Sequence, residues 1–349
     1  MNHKVILLGD THFSCRNGNP KLHEFFDKCY LDIFFPYCLK NNIKTIIQLG
    51  DLWDSRKGIP TLSIYEARRY FFDRLKSHGM ELITLLGNHD ILYRNTVEYN
   101  STKVLLEGYD NIKIIDKPEE VVIGKSKFLL VPWICDDNKE SIEQSIKSTD
   151  AKYLIGHFEF SGFEMFTGQM SHGGQELTDL DKFDTVFSGH YHHRSKKGNV
   201  LYVGIFCEHS WMDANDPKGF HILDCDTGKL EFIRNPYVLH QTIYYDESNI
   251  PEDLSQFKRC FIKLIVKNKT NQIKFENFLD NLSLIGVHEI KIIDEAFSEL
   301  TNTDYTVDIE DEDTITLIDR YIDTVDIPSK DNIKTYFKQL YIESIQCQE

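Results

Sequence analysis

Five times within the first 192 residues, an apolar run ends at a glycine that is followed at once by a residue able to bind a metal. The five are Leu8-Gly9-Asp10-Thr11-His12, Leu49-Gly50-Asp51, Leu86-Gly87-Asn88-His89-Asp90, Ile155-Gly156-His157 and Ser188-Gly189-His190-Tyr191-His192. A buried strand that stops at glycine can exit sharply and present the next side chain at the sheet edge, where α/β domains gather their ligands. Convergence of the five ends would bring together Asp10, His12, Asp51, Asn88, His157, His190 and His192, with His89 beside them. Oxygen and imidazole donors without thiolate suit Mn, Fe or Zn better than Ca and do not distinguish among the three. Asp10 and His12, at i and i+2, can turn toward one ion, and His190 and His192 repeat that spacing and can serve one ion each. Asp51 is the natural bridge, because one carboxylate can bind two cations about 3.5–4 Å apart. Bare carboxylates would repel a phosphate. Two dications outweigh Asp10 and Asp51 by about two positive charges, giving an electrophilic phosphate clamp and an acidified water. Phosphoester hydrolysis is the chemistry such a site suits.

Taken singly, the motifs have structural explanations. His89 beside Asp90 reads as a surface turn with a hydrogen-bonded imidazole, and His157 as a buried histidine at a strand end. Five in order are not accounted for that way. His3, His172, His193 and His209 receive no role.

The elements that must position these residues are legible in the hydropathy pattern. Strand-like runs lie at Lys4–Leu8, Lys44–Leu49, Glu81–Leu86, Lys127–Val131, Lys152–Ile155, Asp184–Phe187 and Val200–Val203, with helical spacing at 22–41 and 61–78. The alternation predicts an α/β domain with buried strands over roughly residues 1–240. Residues 219–234 read as a hairpin turning at Thr227-Gly228. Residues 241–295 form a small α/β module, with strand, helix and strand at Arg259–Lys267, Ile273–Leu284 and His288–Ile293. An acidic linker at 296–313 follows, with five acids among Asp308–Asp313. Two amphipathic helices then occupy 314–349, one with Ile315, Ile318, Ile322 and Val325 on a stripe, the other with Ile333, Phe337, Leu340 and Tyr341. They either dock on the main domain or offer an apolar face to another protein.

Composition narrows the classes. No apolar run reaches the eighteen or so residues of a membrane span, and Val5–Leu8 is too short for a signal-peptide core, so a cytoplasmic protein is expected. The eight cysteines never fall two to four residues apart, which excludes zinc ribbons and CxxC redox motifs and leaves reduced, buried thiols. The net charge of −16 would argue against nucleic acid, yet residues 241–349 hold 11 Lys+Arg against 22 Asp+Glu while residues 1–240 hold 28 against 33. The acidity therefore belongs mainly to the C-terminal third. Arg16, Arg56, Lys57, Arg94, Arg194, Lys196 and Lys197 follow closely on the motifs, and Lys258, Arg259, Lys263, Lys267 and Lys269 open the small module. Gly124-Lys125-Ser126 is not a P-loop, since position 119 is Glu where the loop needs Gly.

D-x-H, G-D, G-N-H-D, G-H and G-H-x-H in this order resemble the calcineurin-like metallophosphoesterases over roughly residues 1–235. The resemblance implies a β-sandwich flanked by helices, with Asp10, His12, Asp51 and His192 on one metal and Asp51, Asn88, His157 and His190 on the other. His89 would be the proton donor, with Asp51 and Asn88 beside it in catalysis. Gly50-Asp51-Leu52-Trp53-Asp54, the Pro217-Lys218-Gly219-Phe220 segment and the appended modules look like SbcD-type DNA double-strand-break nucleases, phage-encoded subunits most of all. That likeness implies two Mn ions, DNA as substrate, a DNA-capping role for 241–295, and a coiled-coil ABC-type ATPase of the SbcC kind bound by the helix-loop-helix at 314–345. It also implies a homodimer, for which the helix at 61–78 offers Leu62, Tyr65, Phe72 and Leu75; packing on its own sheet is the competing use of that face. An extra histidine of some relatives, three residues after the bridging Asp, is here Asp54, which leaves the exonuclease and endonuclease balance open. Two other readings remain: a phosphatase or phosphodiesterase for small or protein substrates, and a non-catalytic DNA-end-binding scaffold.

Overall fold

The computed structural model describes residues 3–251 and 253–294, and beyond them residues 322, 330, 333, 334 and 337. The chain opens with β1 (Lys4–Leu8), followed by helix α1 (20–40), β2 (Thr45–Gln48), helix α2 (61–77) and β3 (Glu81–Leu85). The short helix α3 (Ser101–Leu106) then leads to β4 (Ile112–Ile115). β1 to β4 are parallel neighbours in that order. A second sheet begins with the hairpin of β5 (Glu119–Ile123) and β6 (Ser126–Leu130), whose tight turn is Gly124-Lys125. Helix α4 (Lys139–Ser148) and β7 (Tyr153–Gly156) come next, then a small hairpin, β8 (Glu164–Phe166) with β9 (Gln169–Met170). β10 (Thr185–Ser188), β11 (Ser195–Lys197) and β12 (Val200–Tyr202) complete the second sheet in the order β11-β12-β10-β7-β6-β5. β13 (Gly219–Asp224) and β14 (Leu230–Arg234) return to the first sheet, giving β14-β13-β1-β2-β3-β4.

The two sheets pack face to face. Val5, Leu7, Ile47, Leu49, Ile83 and Leu85 of the first meet Phe128, Leu130, Tyr153, Ile155, Phe187 and Leu201 of the second. The alternate residues Ile6, Leu8, Ile46 and Leu82 face α1 and α2, whereas Leu129, Leu154 and Val186 pack in a cluster with Ile142 and Ile146 of α4. Strands covered on both faces must be apolar at every position, which is why they read as unbroken runs. Each such side chain, fully buried, contributes about 1.5–3 kcal/mol. α1 and α2 each contain one wider π turn, at Tyr30–Phe34 and Arg68–Phe72, and there Tyr30 stacks on Tyr70 with centroids 5.8 Å apart. On α2, Phe72 and Leu75 are fully buried in the chain's own core, so only Leu62 and Tyr65 of the four expected interface residues are exposed.

The small module is a three-stranded sheet of β15 (His240–Asp246), β16 (Phe261–Asn268) and β17 (Glu289–Asp294) with helix α5 (Gln272–Ile285). α5 is capped by Asn271, whose side chain accepts from the Lys274 N–H, and it ends at Gly286 in the left-handed region. Tyr245, Leu264, Phe275, Phe278 and Leu282 form the module's own core. β15 was not expected: it opens with the polar His240-Gln241-Thr242 and has only the short Ile243–Tyr245 stretch before Asp246, so the run looks like a connection.

Residues 1–292 form one compact unit and 293–349 another. The acidic linker lies outside the described residues. So do most of the two C-terminal helices, of which Ile322, Lys330, Ile333, Lys334 and Phe337 are helical. Among the described residues the seven cysteines are free and buried, and no helix is long and apolar enough to cross a membrane.

Candidate metal centre

The five glycine-ended runs are the C-terminal ends of β1, β2, β3, β7 and β10, three from one sheet and two from the other. All seven expected ligands and His89 meet there. The glycines matter for room more than for a sharp exit. Gly50 alone of the five has a positive φ, and a Cβ on it would lie 2.5 Å from His157 Nδ1. At Gly87 a Cβ would lie 2.1 Å from Asp51 Oδ1. The left-handed backbone falls instead on expected ligands: His12 (φ 39°), Asp51 (φ 53°) and His190 (φ 84°). Each such residue costs about 1–3 kcal/mol and persists only where its surroundings over-determine it. Here the Thr11 and His12 N–H groups both donate to the Asp51 carbonyl at 3.1 Å, locking the first loop onto the second.

Asp51 lies between two groups of donors. Its Oδ2 is 3.3 Å from His157 Nε2 and 3.8 Å from His12 Nε2. On one side, Asn88 Oδ1 is 3.1 Å from both His157 Nε2 and His190 Nδ1. His157 Nδ1 donates to the Leu49 carbonyl at 2.8 Å, so a neutral His157 presents only a lone pair to Asn88 and Asp51. Electron-pair donors facing one another in a buried space fit a cation. On the other side, Asp10 Oδ2 is 3.9 Å from His12 Nε2, and donor atoms of Asp10, His12 and Asp51 all lie within 4.8 Å of one another. His192 completes this side, its ring centroid 5.3 Å from that of His12. Its Nδ1 meets Asp213 Oδ1 at 3.2 Å, which leaves Nε2 for the site. The donor set therefore fits two divalent ions sharing Asp51.

The charges say the same. Burial opposes a proton on His12, yet its ion pair with Asp54 and the Asp51 and Asp10 carboxylates carry its pKa to about 10. Burial likewise opposes a charge on His157, and Asp51 and Asp10 still push it up to about 9. Asp51 is held well below the usual carboxylate range, against its burial, by His157 and His89. Burial raises Asp10. Burial and the neighbouring His157 drive His190 down to about 3, keeping its lone pair free. Protons on His12 and His157 thus stand where divalent cations would balance the carboxylates.

His89 is half-buried. Its backbone N–H donates to Asp51 Oδ1 (2.8 Å) and its Nδ1 to the Asp54 carbonyl (2.5 Å), leaving Nε2 as the working nitrogen.

Sequence reasoning missed five residues. Asp54 holds His12 Nδ1 at 3.2 Å. Asp90, fully buried, accepts from the Gly87, Leu52 and Trp53 N–H groups and from the Thr102 hydroxyl, pinning the third motif loop to the second. Burial and the nearby Asp51 raise its pKa to about 7. Asp213 orients His192 and is itself paired with the buried Lys218 at 3.1 Å. His209, in the loop after β12, has its ring 5.3 Å from those of both His12 and His192. Asp54 and Asp90 stand at the ends of the Gly50–Asp54 and Gly87–Asp90 motifs without a role having been read for them, and no motif covers Asp213 or His209. Lys218 had a signal in the Pro217–Phe220 segment and proves to be a buried ion-pair partner of Asp213 and Asp216. His3, His172 and His193 stay outside the ligand group: His3 pairs with Asp226, His193 with Asp216 and Glu164, and His172 is exposed.

Of the basic residues, Arg56 is half-buried, and burial with the like charge of Arg94 lowers its pKa while Asp51 raises it. Arg194, Lys267 and Lys269 lie instead over the rings of Phe232, Tyr244 and Phe275.

Residues 3–194 match the family described as Calcineurin-like phosphoesterase. Exonuclease subunit 1 of Enterobacteria phage T4 is 33% identical over 350 residues, covering 98% of this chain and 100% of that protein. A subunit of the SbcCD nuclease of Staphylococcus epidermidis is 24% identical, covering 81% and 80%. Putative phosphoesterase 078R of Invertebrate iridescent virus 3 is 25% identical, covering 59% and 58%.

Proposed function

The chain belongs to the calcineurin-like phosphoesterase family, and from that premise we propose that it is the two-metal DNA nuclease subunit of a recombination and double-strand-break repair complex. The observation that carries the reading is Asp51, set between two donor groups at the meeting of five strand ends. Asp10, His12, Asp51 and His192 would hold one ion, and Asp51, Asn88, His157 and His190 the other, with Mn the native metal. Two such ions supply positive charge and Lewis acidity toward a phosphodiester. The protein's own groups do the rest. His89, held through Nδ1 by the Asp54 carbonyl, keeps Nε2 to hold a proton for the leaving oxygen, work typically worth ~10²–10⁴ in rate. Arg56 and Arg94 orient the flanking phosphates.

The relatives' names support DNA as the substrate: one is an exonuclease subunit and another belongs to the SbcCD nuclease. By the same reasoning residues 1–240 are the nuclease domain, 241–295 caps the DNA, 296–313 is a linker, and 314–345 binds an SbcC-type ATPase in the cytoplasm. A homodimer through α2 rests on the exposed Leu62 and Tyr65.

The test is nucleotide release from linear duplex DNA with Mn²⁺, comparing wild type with Asp51→Ala and His89→Ala. Cleavage by wild type alone, with His89→Ala still binding both ions, is the expected result. Hydrolysis of a generic phosphodiester with inert duplex DNA, even after addition of an SbcC-type ATPase, would overturn the nuclease reading in favour of a small-substrate phosphodiesterase. Activity unchanged in His89→Ala would overturn the role of His89.

A further inference from the structure

The two-metal reading leaves one imidazole of the cluster unused. His209 is buried, at 5% exposure, and its Nδ1 has no hydrogen-bond partner. Leaving a buried polar group unpaired costs about 1–3 kcal/mol, so packing alone is a poor account of a histidine there. Its ring stands edge-on to His12 (85°) and to His192 (88°), the two imidazoles assigned to the first ion. One donor atom from each of His12, His192 and His209 lies within 4.8 Å of the other two.

The position is also built. Asp213 Oδ2 accepts the His209 and Ser210 N–H groups at 3.0 Å each, while its Oδ1 meets His192 Nδ1. Ser210 caps the turn at Trp211–Asp213. One carboxylate, neutralised by Lys218, thus fixes both the loop carrying His209 and the orientation of His192.

We propose that His209 is a third imidazole ligand of the ion held by Asp10, His12, Asp51 and His192. The inference rests on the two-metal reading and makes the two sites unlike. The first offers three imidazoles and two carboxylates; the second offers two imidazoles, one amide oxygen and the shared carboxylate. Imidazole-rich sites favour the later first-row ions, so the first site selects Co, Zn or Fe over Mn more strongly than the second.

The experiment titrates metal-free full-length protein with Co²⁺ and with Mn²⁺, reading stoichiometry and affinity by calorimetry and ligand field by Co²⁺ visible absorption. Wild type binds two ions. His209→Leu binds one of them tenfold or more weakly, with an altered Co²⁺ spectrum and a reduced Co-over-Mn preference at that site. Its metal-free unfolding midpoint stays at or above wild type, because an unpaired polar atom has been replaced by an apolar side chain. Isotherms and spectra unchanged from wild type would overturn the proposal while leaving the two-metal reading intact. Metal-free destabilisation of His209→Leu, with both sites weakened alike, would overturn it in favour of a packing role. Wild type binding fewer than two ions would overturn the two-metal reading itself, and this inference with it.

Discussion

Loading the centre must expel protons, and the number follows from the electrostatics. In the metal-free protein His12 and His157 have pKa values raised to about 10 and about 9 by the surrounding carboxylates, while His190 is held near 3. At pH 7 the first two are protonated and the third is not. Coordination needs the neutral imidazole, so binding both ions at pH 7 should release about two protons from these residues. With one pKa unit equal to 1.36 kcal/mol, keeping His12 and His157 neutral at pH 7 costs about 4 and about 3 kcal/mol, which the ions must overcome. Between pH 7 and 8 the product of the two binding constants should rise nearly a hundredfold, close to tenfold for each proton, and more gently toward pH 9 as His157 itself titrates. The same groups set the stability of the metal-free protein. Their folded pKa values lie above the unfolded value, so the stabilisation is fully present below about pH 6.5 and is lost as pH rises through about 9 to 10. Calorimetric titration at pH 7 in buffers of different ionisation enthalpy counts the protons, and thermal unfolding in chelator from pH 6 to 10 follows the stability. Proton release near zero at pH 7, or affinity flat from pH 7 to 9, would refute the charge balance drawn here.

Three further perturbations have outcomes set by the geometry. Asp90→Ala strands three buried N–H groups and the Thr102 hydroxyl, and should cost about 3–5 kcal/mol in urea unfolding. A loss under 1 kcal/mol would show that the third motif loop is held some other way. Lys218→Met leaves the buried Asp213 and Asp216 without their cation and should cost about 3–5 kcal/mol, with weaker metal binding as His192 loses its fixed partner. Unchanged metal isotherms would limit Lys218 to stability. Arg56→Ala and Arg94→Ala should each weaken duplex DNA binding and reduce the slope of log K against log salt by about one, measured by fluorescence anisotropy. An unchanged slope would remove both from the phosphate contacts.

The sandwich strands were legible because residues buried on both faces must be apolar at every position. The β13–β14 hairpin was legible because Thr227-Gly228 marks its turn. What escaped notice was what packs on one face or at an edge. β4 is only four residues long and interrupted by Lys113, β15 opens with His-Gln-Thr, and β5 reads as Glu-Glu before its apolar half. The π turns in α1 and α2 leave no trace in a 3.6-residue period. In the site, all seven expected ligands converge, because the glycine-plus-ligand signature repeats. The roles of Asp54, Asp90, Asp213 and His209 went unread for a different reason. Their roles arise from which loop faces which, and no local pattern around them encodes that.

The left-handed backbone at three expected ligands explains why they sit at the seam of the two sheets. A loop holding His12, Asp51 or His190 at positive φ would relax if it were free, since nothing in a single loop offsets the strain. Each is instead held from another strand end. The His12 and Thr11 N–H groups donate to the Asp51 carbonyl, the Asp10 carboxylate accepts the His190 N–H across the seam, and Asp51 Oδ1 accepts the His89 N–H. Gln48 ties the Gly50 turn from within β2 through both its amide nitrogen and its oxygen, and Thr84 of β3 donates to the same oxygen. The constraint is therefore shared among four strand ends, and the backbone of each expected ligand is fixed by a neighbour that is itself one or lies beside one. Substituting a ligand that also carries such a contact, such as Asp10 or Asp51, should disturb the geometry of the second ion along with the first. Changing His89, whose side chain makes its one hydrogen bond to the Asp54 carbonyl and fixes no backbone of another motif, should not.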